Sequence, residues 1–325
     1  MGEKKRAGVC VLTALILLAG AAALSLMVGR YPITWQGLWS DPYVAHVFVT
    51  LRLARTCMVL LAGFSLGVAG SVYQTVFRNP LAAPDIIGVA SGASAGAAAG
   101  ILLFGGGSAL TALWAFGGGF AAVLAALVLS AAARDRGIAN LVLSGIVVNA
   151  LAQAVLMLMK LTADPEKELA SIEFWIMGSF ADVTMDKTMG AAPWVLAGLA
   201  GLFLLRRQIL LLGLEEEEAR TLGVPVTWVR TGILLLATLV TGAVISVTGL
   251  ISFVGLLAPH TARLLIRSSR FSTTVLSGLC GGVLLLLADV LARSVGSAEI
   301  PISIVTSLLG APFLFCMMCR RGRSL

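Results

Sequence analysis

Arg206 to Arg230 reads RRQILLLGLEEEEARTLGVPVTWVR. It is the longest charged interruption in a chain that is otherwise close to continuous apolar helix. Four consecutive acids, Glu215, Glu216, Glu217 and Glu218, precede Ala219 and Arg220, and a turn follows at Gly223, Val224 and Pro225. Acids near a helix N-terminus and a base near its C-terminus both suit the helix dipole. Gly223 fits the C-terminal cap and Pro225 stops the helix. The stretch is therefore predicted to fold as a short helix between two long apolar segments. Charge alone leaves two readings open, an ordinary solvated loop and a docking helix for a soluble partner.

Outward from this stretch, composition sets the class. The chain has 325 residues, 58% hydrophobic and 12% charged, with a mean hydropathy of +0.98. Soluble domains carry about 25% charge, so this is an integral membrane protein. A span needs roughly 20 apolar residues. Backbone polar groups in lipid must be satisfied internally, which demands helices or a closed barrel, and the alternating polarity of a barrel is absent. The expected fold is all-α, a polytopic transmembrane bundle of about ten spans forming one domain over residues 1–325. The expected spans are Val9–Met27, Arg52–Phe77, Asp85–Phe104, Leu110–Ala133, Asn140–Met159, Ala191–Leu205, Thr231–Val247, Gly249–Ile266, Thr273–Ala292 and Ile302–Met318. Gly29–Thr50 reads as a loop, Gly105–Gly107 as a turn, and LASIEFWIMGSF, Leu169–Phe180, as a short amphipathic helix. The third span is dense in Gly, Ala and Ser, a close-packing surface. A nucleotide loop would need a preceding strand and a following Lys-Ser/Thr.

Ten spans put both termini on one face. Sixteen of the 23 lysines and arginines then lie there, among them Lys4, Lys5, Arg6, Arg78, Arg134, Arg136, Arg206, Arg207, Arg220, Arg230, Arg263, Arg267, Arg270 and Arg323. Arg30, Arg52, Arg55, Lys160, Lys167, Lys187 and Arg293 fall on the other. By the positive-inside rule the first face is cytoplasmic. The net charge of +7 thus marks sidedness and gives no continuous patch for nucleic acid.

Chemistry is sparse. The two histidines, His46 and His260, form no HExxH, and no serine sits in a GxSxG elbow. No Walker A sequence is present, so any ATP hydrolysis must occur on another chain. Asp289 is the ionisable residue inside a span. It stands four residues before Arg293, where an intrahelical pair is preferred over a proton relay. Cys316 and Cys319 form a CxxC on an apolar helix, read as two small helix residues and not as a metal or redox pair. Arg52, Arg55 and Arg293 gather at the outer ends of their spans. Position alone leaves open whether they anchor the helices or meet carboxylates of a docking protein.

Several motifs, in order, resemble the FecCD family of ABC importer permeases. They include Leu51-Arg52-Leu53-Ala54-Arg55, Arg78-Asn79-Pro80-Leu81-Ala82-Ala83-Pro84, Trp175-Ile176-Met177-Gly178-Ser179, Glu217-Glu218-Ala219-Arg220-Thr221-Leu222-Gly223-Val224, Ala258-Pro259-His260, Leu287-Ala288-Asp289 and Leu309-Gly310-Ala311-Pro312-Phe313. Ala54 stands where the family usually has proline. The resemblance implies import of a metal chelate such as an iron-siderophore, haem or cobalamin. It implies a second permease copy, two ATP-binding cassette subunits that carry ATP and magnesium, and an extracytoplasmic binding protein, with no cofactor in this chain. Under it, 206–230 is the cytoplasmic coupling segment, with Glu215 to Arg220 and Gly223 at its centre. Arg52, Arg55 and Arg293 match docking positions. Ile138, Ala139 and Asn140 match an inner gate, where Ile138 and Ala139 replace small hydroxyl residues. The alternative is an ion-coupled secondary transporter or channel. The expected location is a bacterial or archaeal cytoplasmic membrane.

Overall fold

A computed structural model describes residues 3–29, 35–105, 109–133, 137–266, 271–295 and 298–321. Gly106, Gly107, Arg30, Arg134, Arg136, Arg267, Arg270 and Arg323 lie outside them. Helices α1 (Glu3–Met27), α2 (Trp35–Ser40) and α3 (Pro42–Val47) lead through a π-helical turn, Phe48–Leu53, into α4 (Ala54–Val76). A 3-10 turn, Pro84–Ile87, precedes α5 (Val89–Phe104), followed by α6 (Ala109–Ala132), α7 (Ile138–Thr162), α8 (Glu168–Met177) and α9 (Met185–Leu204). The charged interruption folds as α10 (Arg206–Leu212) and α11 (Glu216–Thr221). Last come α12 (Val226–Thr248), α13 (Val254–Ile266), α14 (Phe271–Ser294) and α15 (Ile302–Arg321). No strand occurs among the described residues.

Among the described residues, seven helices are long and apolar enough to cross a membrane, and three shorter apolar ones, Val89–Phe104, Val254–Ile266 and Ile302–Cys316, stand where the third, eighth and tenth spans are expected. Several boundaries differ from expectation: the stretch 29–50, read as a loop, holds α2 and α3, the sixth and seventh spans start earlier, at Met185 and Val226, and the second and eighth differ as follows. The second span does not start near Arg52, because the helical run continues back to Pro42. Asp41 caps that start by accepting from the Tyr43 N–H at 2.9 Å, and Pro42 sits where a helix needs no donor. The eighth span starts at Val254 and not at Gly249. Gly249 takes φ 69° and Phe253 φ 65°, left-handed values that no helix continues through. The Leu250 carbonyl accepts from the Ser303 hydroxyl at 2.7 Å.

At the centre lies α4, packed against α9, α12, α13 and α14. Its crossing with α14 needs glycine. A Cβ on Gly63 would stand 2.6 Å from the Gly281 carbonyl oxygen. The small-residue face of α5 meets α6 in the same way, since a Cβ on Gly92 would stand 2.5 Å from the Gly118 carbonyl oxygen. Without a hydrophobic drive between helices in lipid, such backbone approach supplies the dispersion contact that holds a bundle together. On α7 the side chains of Leu143, Ile146, Leu151, Met157 and Leu158 face outward, exposed.

The bundle has two distinct ends. At one, Arg6 donates to the Leu265 carbonyl at 3.1 Å and Arg78 approaches the Leu214 carbonyl at 3.4 Å. At the other, the Ser179 N–H donates to Thr248 at 2.8 Å and the Ile302 N–H to Gly178 at 3.0 Å.

Candidate functional site

The first site is α11. Glu215 holds the N-cap position and Leu222 the C-cap. Gly223 then takes φ 81°. Its N–H donates to the Arg220 carbonyl at 2.9 Å, and the Val224 N–H donates to the Ala219 carbonyl at 3.2 Å. These two bonds make a Schellman ending, which calls for glycine at the left-handed position. Ala219 and Val224, both buried, face inward beneath it. The four acids divide. Glu216 turns inward and accepts from Arg230 at 2.7 Å and from Arg220 at 2.7 Å. Glu215, Glu217 and Glu218 are exposed, as are Leu222 and Trp228 beside them. Burial pulls the Glu216 carboxyl upward, but hydrogen bonds and charge from Arg230 and Arg220 outweigh it and hold the group below the usual carboxylate range. The structure thus makes α11 a helix capped at its C-terminus and ion-paired through Glu216, with an acidic and apolar outer surface.

The second site is a buried ion cluster at the opposite end. Arg55 donates to Asp289 at 2.9 Å and to both oxygens of Glu299 at 3.0 and 2.9 Å. Arg293 lies 3.3 Å from Asp289 and donates to the carbonyl and hydroxyl of Ser25 at 2.6 and 2.9 Å. Ser25 in turn bonds Thr56 at 2.9 Å, and Arg52 donates to the Val28 carbonyl. So α1, α4 and α14 are tied together by one polar network. The expected Asp289–Arg293 pair within α14 is present, yet the shorter partner of Asp289 is Arg55 on α4. Arg52 and Arg293 are buried. Glu299 is a member that no local pattern in the sequence singles out.

Ile138, Ala139 and Asn140 form the first turn of α7, behind Gly137 at the N-cap. Ile138 and Asn140 are half-buried and Ala139 is exposed. This turn lies at the α11 end, where a small cavity of about 50 Å³ joins Leu141 to Arg230.

A larger cavity of about 1210 Å³ opens between α6, α8, α9 and α12, beside Thr248 and Gly249. Phe116, Phe174, Trp175 and Trp194 line it, with Asp182 and Lys187 among its polar groups. Its walls also take in Ile101 of α5 and the connection after α8, so the sequence holds no contiguous signal for it. Among the described residues, no group of three or more His, Cys, Asp or Glu side chains could hold a metal ion.

A bundle of membrane-crossing helices, with a capped charged helix at one end and an arginine cluster at the other, is the architecture of a transporter's membrane subunit. The comparisons with known proteins make the class particular. The sequence pattern of the FecCD transport family matches residues 15–320, and the chain belongs to that family as a permease of the ABC importer type. It is 36% identical to the molybdate import system permease of Haemophilus influenzae over 324 residues, covering 95% of this chain and 94% of that one. It is 33% identical to the hemin transport system permease of Yersinia pestis, covering 94% of each. A solved metal-chelate type ABC transporter in an inward-facing conformation superposes with a TM-score of 0.88 at 33% identity, over 95% of this chain and 98% of that one.

Proposed function

We propose that this chain is the membrane half of an ATP-driven importer for a bulky metal chelate, working as a pair of permease copies. ATP and magnesium act on two cassette subunits docked at α11, and an extracytoplasmic binding protein delivers cargo to the arginine-cluster end. Both termini face the cytoplasm of a bacterial or archaeal cell. The observation that carries this reading is α11. A six-residue helix is too short to be stable alone. Here it is capped, bonded through Glu216 to Arg230, and presents Glu217, Glu218 and Leu222 outward. A merely solvated loop needs none of that order. In this reading α7 lines the path between the two copies, and Ile138, Ala139 and Asn140 in its first turn narrow that path at the inner end. Relatives named for cobalamin, hemin and iron chelate favour a chelate cargo.

The test is uptake into vesicles holding this chain with its cassette subunits and binding protein. Ferric siderophore, haemin, cobalamin and molybdate are offered in turn. ATP-dependent accumulation of a chelate is expected. Uptake of molybdate alone would overturn the cargo class. Uptake driven by an ion gradient without ATP would replace the reading with a secondary transporter.

A further inference from the structure

Arg55 is held by two carboxylates of different character. Asp289 is fully buried on α14, while the Glu299 side chain is 29% exposed. Glu299 sits in the connection between α14 and α15, and the chain just after it is fixed by two backbone bonds. The Ile300 N–H donates to Ala292 and the Ile302 N–H to Gly178, each at 3.0 Å. The Glu299 side chain is partly exposed and can leave Arg55 by rotation about its own torsions. Asp289 cannot leave, because α4 and α14 close around it. The other two arginines point back toward the end of α1, Arg293 onto Ser25 and Arg52 onto Val28. Among the described residues, three guanidinium groups face two carboxylates in this cluster. Of the two carboxylates on Arg55 only Glu299 reaches solvent, so a carboxylate arriving from outside competes with Glu299 and not with Asp289.

We infer that Glu299 is an exchangeable internal ligand of Arg55, which a carboxylate of the docking protein displaces. The inference rests on the docking reading of the arginine cluster given above. Asp289 is the fixed positioning residue, holding Arg55 and Arg293 in register whichever carboxylate is outermost. Glu299 competes with the partner. It keeps Arg55 neutralised while no partner is bound and raises the concentration of binding protein needed to dock. A residue that only braced the fold would do the opposite, since removing it would loosen the docking surface.

The experiment measures affinity between the nanodisc-embedded permease–cassette complex and its binding protein. That protein is recovered with the wild-type complex from the native membrane and then purified. Glu299→Gln keeps the shape of the side chain and removes its charge. Affinity is expected to rise about fivefold at low salt, the equivalent of the roughly 1 kcal/mol upper range of a partly exposed ion pair. The association rate should also become more salt-sensitive. Glu299→Asp, which retains the competitor, should stay within about twofold of wild type on the same scale. Unchanged or weaker binding by a Glu299→Gln complex of wild-type thermal stability would overturn the inference. Should that variant prove unstable, Glu299→Ala takes its place under the same criterion. Absence of docking by the wild-type complex would instead overturn the docking reading itself.

Discussion

Replacing Glu216 by alanine should release α11 while leaving the bundle intact. Glu216 makes two charged hydrogen bonds of 2.7 Å, and its partners differ in exposure, at 61% for the Arg220 side chain and 7% for Arg230. The exposed i,i+4 pair contributes about 0.3–0.5 kcal/mol. Removing the carboxylate from a fully buried arginine costs about 3–5 kcal/mol. Because the Glu216 side chain keeps 22% of its exposure, water can partly replace it, and a loss of about 2 kcal/mol is the reasonable estimate. That raises the population of detached α11 about 30-fold. Hydrogen exchange reads this directly, because the Gly223 and Val224 amides are bonded only while the Schellman ending is formed. Their protection should fall about 30-fold in Glu216→Ala. It should stay near wild type in the double variant Glu217→Ala, Glu218→Ala. Equal protection in the two variants would refute the division of the acids into one anchor and an outward-facing remainder. Transport should distinguish them too, with the double variant losing cassette affinity and Glu216→Ala losing coupling.

Acid should act on the same contact. The Glu216 carboxyl titrates below its ordinary value of about 4.3, so its contribution is fully present above that value and is lost as pH falls through the depressed one. Exchange protection of α11 is therefore expected to hold from neutral pH down to about pH 4 and to collapse below it, whereas Glu216→Gln should show no such step. Gly223→Pro should abolish ATP-coupled transport while membrane insertion persists, since proline cannot adopt φ 81° and lacks the N–H that bonds Arg220. Wild-type transport in that variant would count against a coupling role for α11. Gly63→Leu should lower the melting temperature of the detergent-solubilised chain, at a cost of about 1–3 kcal/mol, because its Cβ meets the Gly281 backbone at 2.6 Å. Gly232→Leu, where a Cβ meets nothing within 4 Å, is the matched control.

Membrane class, helical architecture and the limits of α11 were all legible in the sequence. Hydropathy is summed over about 20 residues, and a cap is decided within one turn, so both are written in neighbouring residues. Gly223 and Pro225 mark the end of α11 for that reason. The short helix after the fifth span was legible from its amphipathic pattern, and it forms as Glu168–Met177. The Gly, Ala and Ser run of the third span announced close packing, though not that α6 would be the neighbour. Pairing across the bundle was not legible. Asp289 has an arginine four residues away, yet it bonds one 234 positions distant in the chain. Glu216 was one of four equivalent acids until α12 brought Arg230 beneath it. Glu299 carries no motif, and the cavity between α6, α8, α9 and α12 has no contiguous lining. An ion pair between helices depends on which faces meet and at what height. That is set by where glycines let backbones approach and not by the local propensity of either residue. Local sequence thus carries the membrane-crossing helices and the cap of α11, though not the short helices α2 and α3 within a stretch that reads as a loop; which charges are anchored inside, and which are left to meet a partner, follows from how the helices pack.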